Sequence, residues 1–221
     1  DDRVSRGLGD VYKRQDFHLC RDGILVRERN FKAYQAWTKK RALETEVAER
    51  TTRIRANPNL YTPFKRVPEA ELWLQTFQQD RLRYPILVVY APSLSGKTEW
   101  AESLFKCPLK LLIGTLSQFP GGVRNLDRSK HDGLILDDVR DLRFLSEHQE
   151  KIQGKYSGTV EFGTTPSFEY TCEVDFYRLP IVATVNKDTK NLGLLTTSDF
   201  ISNRANAVSY THLRAHETLD H

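Results

Sequence analysis

Five consecutive apolar or aromatic residues, Ile86-Leu87-Val88-Val89-Tyr90, run straight into Ala91-Pro92-Ser93-Leu94-Ser95-Gly96-Lys97-Thr98. A short, unbroken, β-branched run of this kind is a strand covered on both faces. The loop after it matches the phosphate-binding spacing GxxxxGK[ST], with Ala91 standing where the first glycine belongs. Backbone N–H groups of such a loop, together with the start of the helix it opens, present partial positive charge to a phosphate chain. Lys97 then reaches the β- and γ-phosphates, and the Thr98 hydroxyl ligates Mg²⁺. Ala91 is the departure, because a Cβ disfavours the positive φ that glycine takes freely.

The remaining apolar runs agree with this start. Leu109 to Ile113, Leu134-Ile135-Leu136 and Ile181-Val182-Ala183-Thr184-Val185 are further short strands, separated by helical or loop stretches, and a helix is expected from about Lys97 to Phe105. Continuous runs without polar alternation predict an α/β fold with a mostly parallel sheet. Thr159 to Cys172, rich in Thr, Phe and Tyr with glycines nearby, reads instead as a β-hairpin.

Two of these strands end in chemistry. Leu136 is followed by Asp137 and Asp138, so an apolar strand delivers two carboxylates about forty residues after the phosphate loop. Asp137 is placed to hold the hydration shell of Mg²⁺, and Asp138 to orient and deprotonate an attacking water. The strand from Leu179 ends in Asn186, whose amide is placed to hydrogen-bond the γ-phosphate or that water.

Phosphate loop, acidic strand, basic Gly-containing hairpin and Asn-terminated strand follow one another within about 100 residues. That order resembles the superfamily 3 helicases of small DNA viruses, and most of all the helicase half of replication initiator (Rep) proteins of circular single-stranded DNA viruses and related plasmids. The likeness covers roughly Tyr84 to Arg204. It rests on Ser95-Gly96-Lys97-Thr98, Leu136-Asp137-Asp138-Val139, Gln153 to Glu161, and Val185-Asn186. The resemblance implies an AAA+-like P-loop NTPase core, ATP and Mg²⁺ as cofactors, a homo-oligomeric ring such as a hexamer, and ATP-driven translocation on single-stranded DNA. It also places Lys151, Lys155 and Tyr156 on a DNA-gripping loop. There a lysine meets a phosphate and a tyrosine stacks on a base. Arg204 falls where related chains carry an arginine finger that reaches a neighbouring subunit's nucleotide. Such proteins work inside the cell, in the host nucleus if the virus is eukaryotic and otherwise in the cytoplasm.

Two other readings fit parts of the pattern. One is a remnant of an integrated virus, acting only as a nucleic-acid-binding or oligomerising module. The other is a small-metabolite P-loop kinase, for whose lid Arg140 and Arg143 are weak candidates. A nicking nuclease is not visible: His18 is the only histidine before His131, and no His-x-His pair occurs.

Ahead of the strands the chain differs in character. Asn30 to Asn57 lacks Gly and Pro and is rich in Ala, Glu, Lys and Arg, predicting one or two helices with a thin apolar stripe of Ala33, Trp37, Val47 and Ile54. Asn57 to Pro68 reads as a linker. Glu69 to Arg81 is a second helix, with Leu72, Trp73, Phe77 and Leu82 on one face. Of the 221 residues, 33 are Lys or Arg and 29 Asp or Glu; residues 16–85 hold 14 of the basic and 9 of the acidic ones, so the basic surplus is local to this segment. Three scattered cysteines, Cys20, Cys107 and Cys172, with no CxxC, indicate neither a disulfide framework nor a zinc finger, and no apolar run is long enough for a membrane span.

Both ends carry strings that are expected to be foreign. Asp10-Val11-Tyr12-Lys13-Arg14-Gln15, preceded by Ser5 to Gly9, resembles the translation of a transposase-end sequencing adapter, and Val208 to Thr218 resembles its reverse complement in another frame. The expected organisation is therefore an adapter-derived tail over 1–15, a basic helical segment and linker over 16–83, a C-terminally truncated ATPase/helicase domain over 84–207, and a second adapter-derived tail over 208–221.

Overall fold

The computed structural model describes residues 17–19, 25–58, 63–64, 66–163, 171–203 and 207–210. The chain divides into two compact units, Asp1–Pro63 and Phe64–His221. In the first unit β1 (Phe17–Leu19) pairs antiparallel with β2 (Leu25–Arg27), and β2 leads directly into α1 (Glu28–Arg55). The expected helix is thus one uninterrupted element of 28 residues. Trp37, Val47 and Ile54 of its stripe are exposed. Its support is local: the Arg41 guanidinium lies 5.1 Å above the Trp37 ring, and Thr38, Thr45 and Thr52 donate to the carbonyls four residues back.

The second unit is built on a five-stranded parallel sheet. Its strands are β3 (Ile86–Tyr90), β4 (Pro108–Gly114), β5 (Gly133–Asp141), β8 (Ile181–Lys190) and β9 (Ala207–Tyr210), in the order β4-β5-β8-β3-β9. All four pairings are parallel. A separate antiparallel hairpin joins β6 (Val160–Gly163) to β7 (Thr171–Val174), overlapping the stretch expected to form one and running two residues past Cys172. Because β8 lies between β3 and β5, residues near position 185 stand between the phosphate loop and the acidic strand. That position decides the site.

The central strands alternate between two apolar layers. Ile86, Val88, Leu134, Leu136, Ile181, Ala183 and Val185 face one layer, completed by Phe144, Leu145, Ile152, Phe162 and Phe176. Leu87, Val89, Ile135 and Val182 face the other, with Trp73, Phe77, Tyr84, Trp100 and Ala101. Each of these sheet residues is 1% exposed or less. At about 1.5–3 kcal/mol for a fully buried large aliphatic side chain, the sheet centre is the main source of stability.

Some of the expected element bounds shift here. The helix predicted over Glu69–Arg81 is α2 (Pro68–Gln75) followed by a 3₁₀ turn, Thr76–Gln78. Tightening there brings Phe77 into a stack with Tyr84, ring centroids 5.0 Å apart, and sets Trp73 edge-on to Phe77. Leu72 and Leu82 consequently lie exposed rather than on the buried face. The Trp73 indole N–H donates to the Pro85 carbonyl at 2.8 Å, so α2 is anchored to the start of β3 and belongs with the sheet, in the unit that begins at Phe64. The helix after the phosphate loop, α3, spans Lys97–Ser103. Finally, β9 pairs Ala207 with Ile86 and Tyr210 with Val89, so the adapter-like string beginning at Val208 starts inside an edge strand. Residues 1–15 and 211–221 lie outside the described residues.

Candidate nucleotide-binding site

The loop from Ala91 to Gly96 leaves the carboxyl end of β3 and opens α3. Its turn is made at Leu94 (φ 61°) and Gly96 (φ 76°). Ala91 is not among the positive-φ residues; it is buried, and its N–H donates to the Val185 carbonyl at 3.2 Å. The missing first glycine therefore costs the loop nothing. Pro92, Ser93 and Leu94 are exposed, Leu94 completely. Leu94 takes a left-handed conformation that a non-glycine residue pays about 1–3 kcal/mol to hold.

Lys97 is buried at the end of the loop, its ammonium donating to the Pro92 carbonyl at 2.7 Å. Burial pushes its pKa below the ordinary 10.5, while Asp137, Asp138 and Asp188 pull it back up. Ser95 is also buried, and its hydroxyl has no hydrogen-bond partner among the described residues. An orphaned hydroxyl inside a phosphate loop is a group a ligand would satisfy.

The carboxylates reach the loop through a bulge. Leu136 lies opposite Ala183 and Val139 opposite Val185, so β5 uses one residue more than β8 over this stretch. The distortion is at Asp138, with φ 55°. Successive residues of a regular strand point to opposite faces; a bulge re-aims them. Here both carboxylates engage β8. Asp137 Oδ1 accepts from the Thr98 hydroxyl at 2.7 Å and from the Thr184 hydroxyl at 2.8 Å. Asp138 Oδ1 accepts from the Asn186 amide at 2.8 Å, and its Oδ2 from Arg140 Nε at 2.8 Å. Asn186 is held in turn by its own N–H on Thr189 Oγ1, with Thr189 donating to the Val139 carbonyl.

Thr98, Asp137, Asp138 and Asn186, named from sequence, are thus joined through one hydrogen-bond network by way of Thr184, while Lys97 feels the aspartates electrostatically and bonds the Pro92 carbonyl. Asn186 differs from expectation in lying inside a ten-residue strand rather than at its end, because β8 bulges there and continues to Lys190. Thr184, Thr189 and the Arg140–Asp138 contact were not anticipated. A threonine two residues before the asparagine, inside an apolar run, is the only trace they leave in the sequence.

Thr98 and Asp137 offer adjacent hard oxygens of the kind Mg²⁺ accepts alongside substrate phosphates, so this pair fits that ion. Among the described residues no group of three or more His, Cys, Asp and Glu side chains could hold a metal ion.

Beside the loop lies a cavity of about 340 Å³ between α2 and α3, walled by Phe64, Val67, Leu74, Trp100 and Leu104 with Arg66 and Glu71 among its polar lining. Phe64 borders both features: a Cβ built on Gly96 would stand 3.5 Å from its ring.

The residues expected to meet DNA separate. Lys151 sits in α4 (Gln149–Ile152), its ammonium 5.1 Å over the buried Phe162 ring of β6. Lys155 and Tyr156 are exposed beyond it. Their loop is tied to the approach to β3: Tyr84 N–H donates to the Gln153 carbonyl at 2.7 Å and Tyr156 N–H to the Leu82 carbonyl at 3.3 Å. Arg204 lies outside the described residues.

A parallel sheet covered on both faces, with a GK[ST] loop between its strand and helix and an acidic strand beyond the neighbouring one, defines a P-loop-like α/β fold. No protein-family model matches the chain, and no curated protein does. Among solved structures it is similar to NtrX from Brucella abortus in complex with ATP, at 14% identity and a TM-score of 0.39 over 79% of this chain and 44% of that one. The same protein in complex with ADP gives 15% identity and a TM-score of 0.33, over 80% of this chain and 41% of that one. The chain therefore spans less than half the length of either. Among the described residues no helix is long and apolar enough to cross a membrane.

Proposed function

We propose that this chain binds and hydrolyses ATP, and that it is the helicase part of a viral or plasmid replication-associated (Rep) protein acting on single-stranded DNA. The observation that carries the ATPase reading is the junction of Thr98 with Asp137 at 2.7 Å, set next to Asp138 held by Asn186. The loop N–H groups and Lys97 bind the phosphate chain, and the adenosine end has the adjoining cavity of about 340 Å³ to enter. Thr98 and Asp137 would hold Mg²⁺, which supplies charge neutralisation on the phosphates when bound. Asp138 takes a proton from the attacking water, and Asn186 fixes the carboxylate that does so. Lys155 and Tyr156 are the exposed groups for single-stranded DNA, and Arg204 is the finger that a ring of identical subunits would share.

Arg140 and Arg143 favour this reading over a kinase. Each is paired to the carboxylate two residues before it, Asp138 and Asp141 respectively, so neither is held out as a lid. The test is ATP turnover by the full chain with and without single-stranded DNA, alongside Lys97→Ala. DNA-stimulated turnover that Lys97→Ala abolishes is expected. Turnover absent in the parent, with ATP not bound, overturns the reading.

A further inference from the structure

Thr184 is 1% exposed in the centre of the sheet, between Ala183 and Val185. A valine would fill the same space, and burying a hydroxyl there is unfavourable unless it is bonded. Both of its capacities are used: Oγ1 donates to Asp137 Oδ1 at 2.8 Å and accepts the Asp138 N–H at 2.9 Å. The second bond answers a specific need. A bulge leaves its extra residue without a ladder partner, and a buried N–H requires one. At this bulge the partner is a side chain on the neighbouring strand. One hydroxyl therefore grips the backbone of one carboxylate and the side chain of the other. On the ATPase reading Thr98 turns its hydroxyl to the metal, which leaves Thr184 as the remaining hydroxyl on Asp137.

Resting on that reading, we infer that Thr184 is a positioning residue for hydrolysis: its hydroxyl locks the Asp137–Asp138 bulge, so that the metal-facing and water-facing carboxylates are set together. Neither acid is oriented by its own strand alone.

The test compares Thr184→Val, which keeps the shape and removes the hydroxyl, with Thr184→Ser, which keeps the hydroxyl and removes the methyl. In nucleotide-free ¹⁵N-labelled full chain the Asp138 amide resonance is expected to move and its hydrogen exchange to accelerate in the valine variant, and to remain near the parent in the serine variant. In turnover, Thr184→Val is expected to lower kcat about 10–100-fold and raise the Mg²⁺ needed for half-maximal rate, with KM for ATP little changed. ADP affinity in the absence of Mg²⁺ stays the same. Serine restores kcat. A kcat for Thr184→Val equal to the parent's, or serine as impaired as valine, overturns the inference. If the valine variant shows no cooperative melt, Thr184→Ala against Thr184→Ser repeats the comparison, since these two differ only in the hydroxyl. A parent chain that neither binds ADP nor turns over ATP is a separate outcome, which removes the ATPase reading and the inference with it.

Discussion

Asn186 Nδ2 donates to Asp138 Oδ1 at 2.8 Å while Arg140 occupies the other oxygen of the same carboxylate. A base whose two oxygens are both engaged is oriented before substrate arrives, and it keeps lone pairs free for a water. Asp138→Asn should keep nucleotide affinity and lower turnover about 10²–10⁴-fold, the usual range for a positioned base. Asn186→Asp sets a second carboxylate against the first. It should also lose turnover while retaining binding, read by fluorescence titration with a labelled ADP.

The loop proposed to meet DNA and the fold beneath it can be tested separately. Gly154 has φ 56°, and a Cβ there would stand 2.4 Å from the Phe176 carbonyl oxygen, so Gly154→Ala should cost about 1–3 kcal/mol in thermal or urea unfolding. Lys155 is exposed one residue later. Lys155→Ala should leave the Tm and basal ATP turnover in place, weaken single-stranded DNA binding, and flatten its log–log salt dependence by about 0.7. Lost basal turnover with DNA affinity intact would assign the loop to the nucleotide site.

The cavity between α2 and α3 should read the base. Leu74, half-buried on its wall, can be enlarged without touching the phosphate loop. Leu74→Trp is expected to weaken ATP binding by about tenfold, worth about 1.4 kcal/mol, while leaving inorganic tripolyphosphate affinity unchanged. Equal losses for both ligands would place the base elsewhere.

The contrast between what was legible and what was not follows from range. Local pattern found the strand at Ile86, the loop, the acidic pair and Asn186, because each is a short string whose period or spacing is its own signal. It could not find Thr184, whose role exists only because β8 is inserted between β3 and β5 and because β5 bulges at Asp138. Nor could it tell that Lys151 packs on Phe162, or that Leu72 and Leu82 miss the core once the helix tightens at Thr76. Ala91 shows the reverse case: the motif suggested a conformational penalty, and the backbone avoids it by turning at Leu94 and Gly96.

At the sheet edge, β9 gives trimming a graded outcome. Removing residues 1–15 and 211–221, which resemble translated adapter, should change the Tm by no more than about 2 °C. Removing Val208–Tyr210 as well strips three residues from the strand paired with β3 and uncovers its backbone groups, so a further fall of about 2–8 °C is expected. Identical melting for the two truncations would show that this edge pairing contributes nothing.

Lys97 supplies a pH signature for phosphate binding. In the free protein, burial holds its pKa below 10.5, with Asp137, Asp138 and Asp188 only partly offsetting that effect. Bound phosphates add negative charge beside the ammonium and must raise the pKa. A group whose pKa is higher in the complex than in the free protein takes up a proton on binding wherever the free form is partly neutral. ATP affinity should therefore fall as pH rises through the free lysine's lowered pKa. Calorimetry in alkaline buffers of different ionisation enthalpy should register net proton uptake. Lys97→Arg keeps a charge that does not titrate in this range and should remove the uptake. Proton release on binding, or uptake that persists in Lys97→Arg, would mean that another group meets the phosphates.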